Sequence, residues 1–172
     1  IIQEELAKAD AGFSVSIGAN NLGFTPLVIA GNEMQKRLLA DIIVPGGLTA
    51  FCLTEAQGGS DAANSRTTAV KEGEEYVING SKSFITNGGV ASLYTVFAMT
   101  DKSKGTKGMS AFMVEANREG VSAGAEEKKM GIRSSNTTEV IFDNVKIPAD
   151  HLIGKEGEGF KIAMESLDGG RI

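Results

Sequence analysis

The hydrophobic period of this chain changes twice along its length. Over residues 1–44 it is helical. Asn32 followed by Gln35 reads as a variant capping box. Met34, Leu38, Leu39 and Ile42 then recur on one helical face. Pro45, Gly46 and Gly47 stop that helix. From Leu48 the texture becomes short apolar runs between turn residues, which predict strands over 48–54, 66–72, 75–79, 82–86, 92–99, 108–115, 120–127 and 138–142. The pair Asn79-Gly80 predicts a turn between the third and fourth of these. Strands at intervals of about ten residues suggest a barrel or a sandwich. Strands and helices do not alternate, so a doubly wound nucleotide-binding sheet is not expected. From Glu158 the helical period returns, with Phe160, Ala163, Met164 and Leu167 on one face.

Composition sharpens this picture. Of 172 residues, 22 are Gly, well above the usual share of about 7%. Only 3 are Pro, which fits strands joined by tight turns better than a linker or a collagen-like repeat. The net charge is −5 with acids and bases interspersed, so no basic patch marks a nucleic-acid partner. No apolar run reaches the roughly 18 residues of a membrane span. One cysteine, Cys52, excludes an internal disulfide. The first residue is Ile1, and the last helix has barely begun at Ile172. A chain cut at both ends is therefore expected, with apolar faces left open at Met34, Leu38 and Leu39 and at Phe160 and Met164.

Four segments could carry chemistry, and each has a plainer reading beside it. Thr54-Glu55-Ala56-Gln57-Gly58-Gly59-Ser60-Asp61 follows an apolar strand, where hydroxyls and free N–H groups can hold a phosphate or the edge of a heterocycle; the same residues make an ordinary surface turn. Phe84 and Thr86 are two apart at a strand end, so they point to one side. They can pack on a flat ring and bond its edge, or simply close a core beside a turn. Gly154-Lys155-Glu156-Gly157-Glu158-Gly159 has neither the Gly-Lys-Ser/Thr nor the Gly-x-Gly-x-x-Gly spacing of a nucleotide loop, and reads as a lead-in to a helix. Asp168-Gly169-Gly170-Arg171 lets a ligand approach between two charges, or stops a helix with a solvated ion pair. Nothing places His151 beside Cys52 as a nucleophile–base pair, and no metal-ligand spacing occurs.

The order of these segments is more specific than any one of them. Thr54-Glu55 with Gly59-Ser60-Asp61, Phe84-Ile85-Thr86-Asn87, Met130-Gly131-Ile132-Arg133, Phe142 to Pro148, Gly157-Glu158-Gly159-Phe160 and Asp168 to Arg171 together resemble the acyl-CoA dehydrogenase family. The segments 97–105 and 167–172 are most similar to its short-chain, butyryl-CoA branch. The resemblance implies an α+β fold with a central β-barrel flanked by helices. Residues 1–47 would be the end of an N-terminal helical domain, 48–157 the middle barrel domain, and 158–172 the start of a C-terminal helical domain.

The resemblance also implies FAD as cofactor and an acyl-CoA thioester as substrate, dehydrogenated by α-proton abstraction and β-hydride transfer. Phe51, Cys52, Leu53, Thr54, Gly59, Ser60, Phe84, Ile85 and Thr86 would contact FAD, with Thr86 near the flavin N5. Ser60, Asp168, Gly169, Gly170 and Arg171 would contact the acyl-CoA. The catalytic Glu is expected beyond Ile172, so no residue of this chain is assigned as the base. An electron-transfer flavoprotein, and a dimer or tetramer of identical chains, are the implied partners. The implied location is the cytoplasm in a bacterium or the mitochondrial matrix in a eukaryote. An acyl-CoA oxidase, or a flavin- or CoA-binding homologue without the base, shares the same features. Ala56-Gln57 stands where many members have Pro-Gly, and Phe84 where many have Trp.

Overall fold

The computed structural model describes residues 1–169. Three helices open the chain: α1 (Ile2–Ala9), α2 (Ala11–Ala30) and α3 (Glu33–Ile43). The expected capping box starts α3. The Asn32 side chain accepts from Gln35 N (2.9 Å) while the Gln35 side chain accepts from Asn32 N (3.1 Å). Gln35 is also buried, and its Nε2 donates to Asp150 O (2.6 Å) and Leu152 O (2.8 Å). One residue thus caps a helix and pins it to the far end of the strand region.

The strands are β1 (Thr49–Cys52), β2 (Thr68–Glu72), β3 (Glu75–Thr86), β4 (Leu93–Met99), β5 (Met109–Glu115), β6 (Val121–Ala123), β7 (Thr137–Pro148) and β8 (Leu152–Ile153). They form one eight-stranded sheet in the order β6-β7-β3-β2-β4-β5-β8, with β1 pairing parallel to β4. The expected closed barrel needs correction. The end strands β6 and β8 do not pair with each other among the described residues, so the sheet is open. It nevertheless curls over itself. Tyr76 of β3 meets Phe112 of β5 at 4.9 Å between ring centroids, and Tyr94 of β4 meets Phe142 of β7 edge-on at 6.4 Å. The inner surface so formed is one apolar core that includes Ile78, Val96, Val114, Val145 and Ile147.

Alternation along β4 and β5 separates two cores. Tyr94, Val96, Ala98, Phe112 and Val114 face inward. Leu93, Phe97, Met99, Met109, Ala111 and Met113 face a second cluster, shared with Leu27 of α2, Leu39 of α3 and Ile162 of α4 (Gly159–Gly169). Both faces of these strands are therefore covered, which is why their sequences read as near-continuous apolar runs.

Two strand predictions were too short. The pair Asn79-Gly80 is not a turn: β3 runs straight through it for 12 residues. Gly80 is required there for another reason. Its φ is +143°, and a Cβ would lie 2.7 Å from Thr67 Cα. The hairpin turn lies earlier, at Gly73 and Glu74, where Gly73 has φ +62°. Likewise β7 continues to Pro148, past a bulge at Asn144 with φ +52°. The apolar faces expected to stand open do so in part. Met34 and Met164 are exposed, but Leu39 is buried and Leu38 and Phe160 pack on the second cluster.

Helix α2 is the longest helix among the described residues. By length and composition its 20 residues could cross a membrane, with a mean hydropathy of 1.2 over its best window. Here it docks on the sheet through polar groups. Asn20 Oδ1 accepts from Thr49 N (2.7 Å), Thr49 Oγ1 donates to Asn20 O (2.7 Å), and Thr95 Oγ1 donates to Gly23 O (2.7 Å). Gly23 permits that approach, since a Cβ there would lie 2.8 Å from Ala50 N. Gly23→Ala should therefore destabilise the fold by about 1–3 kcal/mol through overpacking. Helix propensity alone would favour the change by about 1 kcal/mol. A denaturant midpoint that does not fall would show that α2 can shift off β1 without loss.

Candidate active site

A cleft of about 300 Å³ opens on the helix-covered face of the sheet, where the end of β1 and the end of β3 meet α2 and α4. It is lined by Phe51, Leu53, Thr54, Gly59, Phe84, Ile85 and Thr86, with Ala19 and Leu22 of α2 and Leu167 of α4. Seven of the residues singled out from the sequence therefore converge on one place, from segments 25 to 35 residues apart in the chain. Phe51 is held by Phe97 behind it, with ring centroids 4.8 Å apart.

Backbone irregularity aims this wall. Between the pairs Lys82–Val140 and Ile85–Thr138, β3 spends three residues against two of β7. The extra residue produces a bulge, and Phe84 within it has φ +57°. In an unbroken strand Phe84 would share the inner side with Lys82. The bulge instead leaves Phe84 63% exposed on the cleft side and returns Ile85, 2% exposed, to the inner core. Thr86 then falls on the cleft side too. Simple alternation places Phe84 and Thr86 on one side; they do share the cleft, and the bulge is what turns that side toward it. Asn87, also at positive φ, ends the strand. Its buried side chain donates to Ser16 O (3.0 Å) and reaches Thr49 O (3.4 Å), tying the strand end to α2 and β1.

Behind the wall lies a buried ion pair. Lys82 Nζ sits 2.7 Å from Glu55 Oε1, with both side chains almost wholly enclosed. Glu55 also accepts from Arg66 N (2.7 Å), Thr67 N (3.1 Å) and the Ser65 hydroxyl. Burial alone would raise the Glu55 carboxyl. The Lys82 ammonium and these donors outweigh it and hold the group well below its ordinary value of 4.5.

Not every expected residue reaches the cleft. Cys52 alternates to the inner side, where it is fully buried and its thiol is pushed up to about 12 by desolvation, so only its backbone is near the cleft. Ser60 is exposed and is not among the lining residues. Asp168 is exposed on α4 and also lies off the cleft, while Gly169 lines a separate groove with Gln3, Val15, Gly18 and Ser166. Gly170 and Arg171 lie outside the described residues. Ala19, Leu22 and Leu167 were not foreseen. The sequence pattern places Leu167 on a helical face and within the 167–172 segment, and assigns no face of α2. A larger groove of about 710 Å³ runs along the 126–133 loop. Its walls are Glu126, Glu127, Lys128, Lys129, Met130 and Arg133, five charged side chains and one methionine, with no aromatic among them. Met130 and Arg133, from the third quoted segment, stand there, Met130 at 98% exposure.

The cleft thus has an apolar wall with hydroxyls on its rim, on a sheet flanked by helices. The sequence matches the family described as "Acyl-CoA dehydrogenase, middle domain" over residues 50–145, more than half of the chain. The chain belongs to the acyl-CoA dehydrogenase family. It is similar to the short-chain specific acyl-CoA dehydrogenase of Megasphaera elsdenii, at 49% identity over 98% of this chain and 45% of that protein. The solved butyryl-CoA dehydrogenase from the same organism superposes with a TM-score of 0.95, at 49% identity and with 98% of this chain and 45% of that one covered. A structure described as the electron transferring flavoprotein of Acidaminococcus fermentans gives a TM-score of 0.95 at 51% identity, covering 98% of this chain and 45% of that one. An acyl-CoA dehydrogenase complexed with FAD from Bacillus anthracis gives 0.90 at 40% identity, covering 99% and 29%. The chain thus spans about half the length of the curated relatives it matches.

Two measurements test the site's construction. A non-glycine residue in the left-handed region costs about 1–2 kcal/mol. Phe84→Gly should therefore raise stability, or leave it unchanged, while removing the aromatic face of the cleft; a clear fall in melting temperature would show that Phe84 packs instead of waiting for a ligand. The second measurement concerns acid. The folded carboxyl of Glu55 lies below its ordinary value, so its stabilising contribution is complete above pH 4.5 and is lost as pH falls further toward the folded value. The melting-temperature gap between wild type and Glu55→Gln should narrow as pH drops below 4.5. A gap independent of pH would mean that the charge on Glu55 is immaterial.

Proposed function

We propose that this chain holds the flavin of a short-chain acyl-CoA dehydrogenase, and that the complete enzyme removes hydrogen from the α and β carbons of a short acyl-CoA thioester. The observation that carries the reading is the convergence of Phe51, Leu53, Thr54, Gly59 and Phe84 to Thr86 on one cleft. The lining fits FAD in chemical kind. The isoalloxazine is a flat aromatic body with a polar rim, and the cleft offers an exposed aromatic and aliphatic wall bordered by the hydroxyls of Thr54 and Thr86. When bound, FAD would supply the acceptor for the substrate's β-hydride.

What this chain's own residues contribute is binding and orientation. Phe51, Leu53 and Phe84 would exclude water from one side of the ring. The Thr86 hydroxyl would donate to its edge, and the free backbone groups around Gly59 would meet its more polar parts. Ser60 and the residues from Asp168 onward would meet the acyl-CoA, whose bulk would lie outside the cleft toward α4. Helices of the longer protein would complete the opposite wall, and with it the carboxylate that takes the α-proton. An electron transferring flavoprotein is the proposed acceptor of the electrons, in line with the relative from Acidaminococcus, and a dimer or tetramer is the proposed assembly.

The test is direct. The full-length protein should purify with FAD, or bind it on addition, and the bound FAD should bleach when butyryl-CoA is added without oxygen. Absence of FAD binding would remove the reading. Thr86→Val keeps the shape of the side chain and deletes its donor. One lost preorganised donor slows a step by about 10²–10³, and a ring edge should sit at or below the lower end of that range. Stopped-flow reduction by butyryl-CoA should slow accordingly while FAD stays bound; an unchanged rate would take Thr86 out of the site.

A further inference from the structure

The proposed reaction has no use for a charged group beneath the cleft, yet Lys82 is there, fully buried. Its Nζ donates to Glu55 Oε1 (2.7 Å), to the backbone carbonyl of Leu53 (3.2 Å) and to Ser65 Oγ (3.2 Å). Leu53 lines one wall of the cleft, and its neighbour Thr54 accepts from Ser83 N (2.9 Å). Lys82 itself is the last regular position of β3 before the bulge that presents Phe84. Glu55, on the other side, gathers Ser65, Arg66 and Thr67, the far end of the loop that carries Gly59. A single ammonium is therefore bonded to both segments that form the cleft and to the loop between them.

An ion pair is a poor filler. Apolar residues of the same volume would stabilise a buried spot as well or better. What they could not do is fix a carbonyl and a carboxylate at a set distance from the bulged strand. We propose that Lys82 and Glu55 are positioning residues for the flavin cleft: together they set the separation and register of the Leu53–Thr54 wall against the Phe84–Thr86 wall. The inference rests on the FAD reading above. Neither residue touches the ligand.

The experiment separates positioning from stability in the full-length protein. Each single variant, Lys82→Met or Glu55→Gln, leaves one polar partner buried alone. The double variant K82M/E55Q leaves no unpaired charge, and the single oxygen of the amide that replaces the carboxylate can still accept from one of Arg66 N and Thr67 N, which bond different oxygens of Glu55. Its melting temperature should recover most of what the single variants lose. FAD titrated into the apoprotein should nonetheless bind about tenfold more weakly than to wild type, the worth of roughly one well-placed hydrogen bond. The visible absorption band of the bound flavin should also change shape. Recovery of both melting temperature and wild-type FAD affinity, with an unchanged band, would overturn the inference and leave the functional reading intact. Wild-type protein that binds no FAD would overturn both. Should K82M/E55Q fail to fold, Lys82→Met alone carries the test, since it removes the bond to Leu53 O while Glu55 keeps its donors Ser65, Arg66 and Thr67. Wild-type FAD affinity in that variant would likewise overturn the inference.

Discussion

A lysine ammonium out of reach of water is an expensive thing to place in a protein, and this chain places one where three segments must meet. Lys82 and Glu55 are separated by 2.7 Å and by 27 residues of sequence. Removing one partner of such a pair typically costs about 3–5 kcal/mol, because the other is left charged and dry. Here more than a charge would be stranded. Glu55 terminates the N–H groups of Arg66 and Thr67, and Lys82 terminates the carbonyl of Leu53. Those are the backbone groups released where β1 leaves the sheet and where the following loop comes back to it. With the pair in place, the loop can stay irregular at Gly58 and Gly59 without leaving buried amides unsatisfied.

The second constraint is that β4 and β5 are covered on both faces. An inner core fills the curl of the sheet, and an outer one seats three helices. Helix packing on the outer face brings Ala19 and Leu22 from the N-terminal side and Leu167 from the C-terminal side to the rim of the same cleft. The site is thus a seam between the sheet and helices from both ends of the chain, a common place for ligand clefts. Polar anchors such as Asn20 to Thr49 and Gln35 to the 150–152 backbone set where each helix can sit, which apolar contact alone does not do.

What was legible in the sequence follows from this division. Alternation and apolar runs located most of the strands, and the Asn32–Gln35 pair located the start of α3, because those signals are local. The failures come from positions where two distant backbones meet. Gly80 read as a turn because Asn-Gly commonly makes one; in fact Thr67 lies too close for any side chain. Sheet closure depends on the pairing of β6 and β8, which no local pattern encodes. Cys52 was grouped with its neighbours as a ligand contact, although alternation from Phe51 to Leu53 was enough to turn its side chain away. Ala19 and Leu22 carry no chemistry of their own, and become site residues only because α2 lands beside β1.

The Phe84 bulge shows how local irregularity and long-range anchoring depend on each other. A strand of period two cannot send Lys82 inward, Phe84 outward and Ile85 inward again without one extra residue. Inserting that residue puts Phe84 at φ +57°, a conformation a bulky side chain does not choose by itself. Lys82 holds the strand on one side of the insertion. Asn87, bonded to Ser16 and Thr49, holds it on the other. Strain kept between two fixed points persists only where the surroundings over-determine it. Here it maintains an aromatic face toward an open cleft that a relaxed strand would have turned into the core. Phe84 therefore stabilises the fold less in its present place than it would inside, and it is this exposed, held-out aromatic on which the proposed flavin contact rests.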